Sequence, residues 1–367
     1  MTDLKLTPEE ERQVAVDDRR FKLLTKFDTD SGQGVLPFTN ERYFEQSNPI
    51  VRSALFSAGK VPKGTFFKEW TKIFSLGSGA IWYRGPALTT DHEIVFARIM
   101  VLARGRSLTQ SVRVRQADVC RWLKLDDSGA NFKKARKILD DLAAGELRIS
   151  SKPALKRLYD LLTRPPIGIP DRDFFLEFIK NRYGDQIKEI AAAIEQDDTV
   201  VDISMRFLTN QAKNHKTGRL LLNLDPIAAI FFDGVNTTLV PFEIWDQLDK
   251  YGKKLLPFIA SHRDGVYRHG LDKYFGLSGS SSEYGKVKRR FKSDLKKRFE
   301  EWEKKSWIEP GWVITRNDND EEMVDGLKIG MEVRIRSELE LAAVAADNAD
   351  DLDDADDLED VAEGELV

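Results

Sequence analysis

Between Tyr284 and Trp302 apolar side chains return every third or fourth position. Tyr284, Val287, Phe291, Leu295, Phe299 and Trp302 fall on one stripe of a 3.6-residue helix, and a stripe that wide predicts a buried face. Ser282, Lys286, Arg289, Ser293 and Lys296 occupy the opposite face, flanked by Arg290, Lys292 and Lys297. The cations crowd the N-terminal half and Glu300, Glu301 and Glu303 come last, the reverse of what the helix macrodipole favours. Positive charge at that end is mildly destabilising until an anion such as a DNA phosphate arrives. Upstream, Tyr267–Leu277 predicts a short helix with Leu271, Phe275 and Leu277 inward, followed by a Ser-Gly turn and a cap at Ser281 or Ser282. Helix, turn and basic helix make a DNA-reading pair, the second helix being the reader.

The same order occurs earlier in the chain. The pattern predicts a helix over Thr90–Ala103 with Ile94, Val95, Ile99 and Leu102 on its inner face, and a short strand over Val112–Arg115. A helix over Arg115–Leu125 follows, burying Val119, Trp122 and Leu123, then an Asp/Ser/Gly turn and an amphipathic helix over Asn131–Leu147. That helix points Phe132, Ala135, Leu139 and Leu142 inward and Asn131, Lys133, Lys134 and Lys137 toward solvent and DNA. Strands over Thr199–Asn210 and Arg219–Leu224 flank a basic tip carrying Lys213 and Lys216, and strands over Gly311–Thr315 and Leu327–Arg336 close the second copy. Helix, short helix, basic helix and strands is the order of a winged helix, so the expected class is α+β with two winged-helix domains in tandem. The boundaries expected are an N-terminal helix and linker over 1–47, a first domain over 48–232, a second over 233–336 and a tail over 337–367. Residues 152–198, with helices over Ala154–Leu162 and Phe174–Ile194 of balanced charge, interrupt the first domain as an insertion suited to packing or a partner.

Charge sharpens this picture. The chain has 57 Lys and Arg against 61 Asp and Glu, yet thirteen of the acids lie from Glu338 onward with no cation among them. The rest carries 48 acids and a net charge of +9, so a basic body adjoins an acidic tail expected to be disordered. Cys120 is the single cysteine, which excludes a disulfide framework and fits a reducing cytoplasm. The start of the sequence lacks the basic-then-apolar order of a signal peptide, and no apolar run reaches membrane-span length.

Enzyme chemistry finds no constellation. His92, His215, His262 and His269 have no metal-ligand spacing, so neither metal nor cofactor is expected. Gly59–Thr65 has the glycine spacing of a phosphate loop without its following lysine and reads as a hairpin turn. His262-Arg263-Asp264 lacks the partners of a kinase loop and reads as a helix C-terminus.

Three segments carry a resemblance. They are Asn48-Pro49 with Arg52-Ser53-Ala54-Leu55-Phe56; Leu248 through Leu255 to Ser261-His262; and Arg289-Arg290-Phe291-Lys292 with Leu295-Lys296-Lys297. In this order they resemble the TrfA-type plasmid replication initiators, over roughly residues 48–314 with a gap at the insertion. The resemblance implies a protein that binds repeated sites, or iterons, in double-stranded plasmid origin DNA. It also implies recruitment of host replication proteins (sliding clamp, initiator and helicase) and a monomer–dimer equilibrium. Relatives carry a clamp-binding peptide before the first motif; here Gln33, Leu36 and Phe38 match part of it, and Gly34 departs from it. A transcriptional regulator or partition protein built on the same modules is the alternative.

Overall fold

The computed structural model describes residues 43–77, 79–103, 111–163, 172–196, 202–213, 219–231, 237–262 and 264–334. The expected N-terminal helix, the Gln33–Phe38 segment and the acidic tail lie outside the described residues. Among the described residues the class is α+β: helices packed on four small antiparallel sheets.

The chain opens with β1 (Tyr43–Ser47) and α1 (Asn48–Val51), where Pro49 suits the first helical turn. A hairpin of β2 (Phe66–Ile73) and β3 (Ala80–Pro86) leads to α2 (Thr90–Ala103), β4 (Val112–Arg115), α3 (Gln116–Trp122) and α4 (Gly129–Ala144). Ser128 caps α4 by accepting a hydrogen bond from the Asn131 amide. Next come β5 (Glu146–Ser150) and three helices, α5 (Lys152–Thr163), α6 (Arg172–Tyr183) and α7 (Ile187–Gln196). One long helix was expected where α6 and α7 stand; the chain breaks at Gly184–Gln186 into a tighter turn. The half ends with β6 (Ile203–Arg206), β7 (Leu208–Lys213), β8 (Arg219–Leu224) and α8 (Ala228–Phe231).

The expected strand over Thr199–Asn210 is thus two strands in two sheets. β6 is the edge of the order β2-β3-β5-β6, whereas β7 lies in the order β4-β8-β7. Alternation fails at Phe207 and Leu208, both buried, and this break in the two-residue period turns the chain from one sheet to the other. Phe207 packs against Phe56 and Phe96, with ring centroids 5.4 and 4.9 Å away.

The second half runs β9 (Thr237–Pro241), α9 (Phe242–Trp245), α10 (Gly252–Ala260), β10 (His269–Gly270), α11 (Leu271–Leu277), α12 (Tyr284–Lys304), β11 (Val313–Arg316) and β12 (Glu322–Asp325). Its sheet order, β10-β12-β11, repeats β4-β8-β7, and the second set follows a path of helix, strand, helix, helix, strand, strand that the first set matches once β5, α5, α6, α7 and β6, which stand between α4 and β7, are set aside. β12 lies before the strand expected over Leu327–Arg336. Asn317 accepts hydrogen bonds from the amides of Asn319 and Glu321, which turns the chain early, and Gly326 at φ +68° ends the strand. β1, read as linker, instead pairs antiparallel with β9 from Tyr43↔Pro241 to Ser47↔Thr237.

Buried side chains form two clusters that meet along α1 and α2. Ile50 belongs to the first cluster and its neighbour Val51 to the second. α2 sends Val95, Phe96 and Ile99 one way and Ala97 the other, the pattern of a helix buried on most of its surface. The inserted helices pack into the first cluster through Leu158, Ile179 and Ile190.

Polar groups cross the same seam. Arg52 donates through Nε to Ser261 Oγ at 2.9 Å and through its terminal nitrogen to the Ser261 carbonyl. Asn48 accepts from Thr238 Oγ1 at 2.6 Å, Arg98 pairs with Asp246 at 2.6 Å, and Glu93 pairs with Lys254 at 3.3 Å, both ends almost fully buried. Burial pushes the Glu93 carboxyl up against the pull of Lys254.

Candidate nucleic-acid interface

The reading helix foreseen near the C-terminus is α12, and its apolar stripe is seated as expected. Leu295, Phe299 and Trp302 are buried, and Tyr284 and Phe291 are half-buried against Phe275 with centroids 5.5 and 5.4 Å away. Trp312 packs on Phe299 at 5.2 Å and donates to Glu303 at 2.7 Å, which ties the C-terminal half to β11. Arg298, on the inner flank, makes a bidentate pair with Asp249 and is not part of the outer face. Burial alone would raise the Asp249 carboxyl, but Arg298 holds it below the ordinary range.

The outer face presents Lys286, Arg289, Arg290, Ser293, Lys296 and Lys297, all exposed. Arg289 and Lys297 have no carboxylate partner among the described residues. Lys286 with Glu283 (3.0 Å), Arg290 with Asp294 (3.5 Å) and Lys296 with Glu300 (3.7 Å) form exposed pairs within the helix. Such pairs contribute only about 0.5 kcal/mol and exchange readily for a phosphate. Lys292 differs: it bonds Glu322 of β12 at 2.5 Å, beside Lys288 at 3.7 Å, and these lysines hold the Glu322 carboxyl down. Lys292 therefore buttresses the strand and does not face the open side.

The turn before α12 also differs from expectation. The cap residue is Glu283, with no side-chain cap bond, and not Ser281 or Ser282. Ser281 donates through its amide and Oγ to the Lys60 carbonyl at 3.0 and 2.8 Å, while Ser282 is exposed beside it. Ala58 and Gly59 amides donate to the Ser278 carbonyl, and Ser57 Oγ donates to the carbonyl of Gly279. Gly59 is required here because a Cβ would sit 2.4 Å from that of Ser280. The loop read from sequence as a plain turn thus holds the N-terminus of α12 and places exposed Lys60 and Lys63 on the same segment. Their lysine content was visible; their position depended on a contact more than two hundred residues away.

α4 also presents its expected side chains, with different electrostatics. Lys134 pairs with Asp91 at 2.8 Å, Lys137 with Asp141 at 2.8 Å and Arg136 with Asp140 at 3.0 Å. Asn131 donates to Asp126 at 2.7 Å and is spent on the turn. Lys133 alone among the α4 cations has no carboxylate partner among the described residues. Asp91 also holds Lys250 at 3.0 Å, and the two lysines bring its carboxyl down although burial opposes them.

The hairpins invert this contrast. The tip between β11 and β12 carries Asp318, Asp320 and Glu321, with Arg316 bound to Asp320. The segment between β7 and β8 reads Lys213-Asn-His-Lys216 and is cationic in sequence. Lys213 ends β7, its side chain lies outside the described residues, and so does Lys216. Gln33, Leu36 and Phe38 lie outside them too.

Among the described residues no group of three or more His, Cys, Asp or Glu side chains is placed to hold a metal ion. No described helix is long and apolar enough to cross a membrane. No protein-family model and no curated protein matches the chain. Among solved structures, selenomethionine derivatives of domains 2 and 3 of RctB align with a TM-score of 0.39 and 13% identity, over 77% of this chain and 96% of that one. RctB residues 155–483 align with a TM-score of 0.39 and 11% identity, over 78% and 97%.

Proposed function

We propose that the chain is a sequence-specific double-stranded-DNA-binding protein with two winged helices, acting as a replication initiator and not as an enzyme. The observation that carries this reading is the outer face of α12, where Arg289 and Lys297 have no carboxylate partner among the described residues and stand among weakly paired Lys286, Arg290 and Lys296 on a helix packed from behind. The same three-strand sheet order in each half, with a path of helix, strand, helix, helix, strand, strand interrupted in the first half by β5, α5–α7 and β6, supports the winged-helix assignment. The two halves grip DNA by different parts. The second uses its helix and turns an acidic hairpin away from phosphate, whereas the first has a largely neutralised helix and a cationic hairpin sequence.

The initiator role draws support from the segments resembling TrfA-type initiators, since the first and second meet in space through Arg52 and Ser261. On this reading the sites are directly repeated origin sequences, and assembly with host replication proteins follows binding. The test is a gel shift on repeated origin DNA with the charge-reversal pair Arg289→Glu and Lys296→Glu. Binding should fall at least 100-fold with the melting temperature within a degree or two, and each lost phosphate contact should flatten the log–log salt slope by about 0.9. Unchanged affinity in the folded variant refutes the assignment of α12.

A further inference from the structure

The exposed face of the β2-β3-β5-β6 sheet carries chemistry that DNA reading by α12 does not use. Cross-strand register places Lys72, Trp82, Arg148 and Ser204 in one row and Arg84, Glu146 and Arg206 in the next. The guanidinium of Arg148 lies 4.1 Å from the Trp70 ring centroid and that of Arg84 lies 4.9 Å from it. Arg182 and Phe178 of α6 form the opposite wall of a cleft of about 560 Å³.

Guanidinium donors there exceed their acceptors. Arg84 and Arg206 share one carboxylate, Glu146. Asp225 accepts from the amides of Arg206 and Ile227 and lies 3.8 Å from Arg182, which donates one bond to the Ser204 carbonyl at 2.9 Å, while the carboxylate nearest Arg148 is Asp202 at 4.0 Å. Each guanidinium offers five N–H donors in a planar fork matched to carboxylates. Stacking on Trp70 fixes two of the forks in advance, which lowers the entropy lost when an anion arrives. The ligand this cleft fits is a polyanion with small apolar groups between its charges.

We propose that the occupant is the chain's own segment Asp350–Val361. It reads Asp-Asp-Leu-Asp-Asp-Ala-Asp-Asp-Leu-Glu-Asp-Val, acid pairs separated every third residue by Leu352, Ala355, Leu358 and Val361. The pairs meet the arginine forks, and the aliphatic groups meet Trp70 and Phe178. Fifteen residues separate Arg334 from Asp350. Extended, they span roughly 50 Å, about the diameter of a compact chain of this length, so the segment reaches the cleft. Tethering makes the encounter intramolecular, which favours even a weak site where the path is shorter than that limit. The outer face of α12 is also basic, but it is the convex side of a helix with its aromatics turned inward.

Arginine footprinting of the full-length chain tests this. The chain is treated with phenylglyoxal and compared by mass spectrometry with a full-length variant carrying Asn at Asp350, Asp351, Asp353, Asp354, Asp356 and Asp357. Arg148 and Arg206 should react at least three-fold faster in the variant, Arg289 should react equally in both, and about 0.5 M NaCl should erase the difference. Equal rates at the cleft overturn the proposal, as does protection of Arg289 in place of Arg148, which would put the tail on the reading helix. If a single-stranded oligonucleotide protects Arg148 and Arg206 as fully in the native chain as in the variant, the cleft is a nucleic-acid surface and the assignment also falls. None of these outcomes depends on whether α12 reads origin DNA.

Discussion

His262 sits at the end of α10 with Nδ1 2.9 Å from the Phe258 carbonyl and 3.1 Å from Ser261 Oγ, next to the group that binds Arg52. Burial, and then the positive charge of Arg52, pull its pKa down to about 4. The folded ring therefore stays neutral at acidities where the unfolded ring, near its ordinary value, takes a proton. Between pH 6.5 and pH 4 the unfolded state binds more protons, so stability falls as pH falls through that window. After discounting for the ring's partial contact with solvent, the loss is about 2 kcal/mol. Urea midpoints at pH 7 and pH 4.5 check it: His262→Gln should show a smaller difference than the native chain, and an equal difference would remove His262 as the cause. This role was not legible in the sequence, where His262 reads as the last residue of a helix. Two lysines at the other end of α10 also depend on packing. Lys253 and Lys254 are charged residues, yet both are buried, and burial brings Lys253 down to about 8. Their partners, Glu93 across the seam for Lys254 and the Trp245 carbonyl for Lys253, come from tertiary packing that periodicity cannot supply.

Among the elements, those with a strong helical period were legible almost to the residue. α12 buries the expected face, because burying that stripe decides where it lies, and α2 and β4 have the expected bounds, although Leu102, expected on the inner face of α2, is exposed. Elements whose partners lie far along the chain were not. β1 reads Tyr-Phe-Glu-Gln-Ser, five buried residues with no alternation, and only its pairing with β9 makes it a strand. The charge on α4 and α12 was half legible: cations could be counted, but not their carboxylate partners on other elements, such as Asp91 for Lys134. That distinction leads to a prediction about the first half. Because α4 is largely neutralised, Lys133→Glu should weaken binding to origin repeats only a few-fold. Lys213→Glu with Lys216→Glu, in the hairpin, should weaken it ten-fold or more and flatten the salt slope by one to two units. Fluorescence anisotropy over a salt series separates the two; a larger loss from Lys133→Glu would return the first half to helix-led binding.

At the scale of the molecule, the proposed function requires the seam to hold the two halves in a fixed relation, since repeated sites on DNA have a fixed helical phase. The seam is built from few polar contacts set among shared helices. Arg52 spans it to Ser261, and the Ser57–Lys60 segment grips the turn that starts α12. The resemblance motif containing Arg52 could be quoted from the sequence, but its position between the halves became visible only when Ile50 and Val51 were seen entering different clusters. Arg52→Ala removes both bonds to Ser261 and leaves that carbonyl short of a donor, a loss of about 1–3 kcal/mol. If the seam couples the halves, the damage to binding should exceed what lost stability explains. Affinity for DNA carrying the complete repeat should fall at least ten-fold, because the second contact no longer benefits from a fixed effective concentration. Affinity for a shortened duplex that engages only the α12 half should change less than two-fold. Titrating both duplexes with native and Arg52→Ala protein at 20 °C, well below the melting temperature of each, makes the comparison. Equal losses on the two duplexes would mean that Arg52 supports the second half alone, and that the halves read DNA independently.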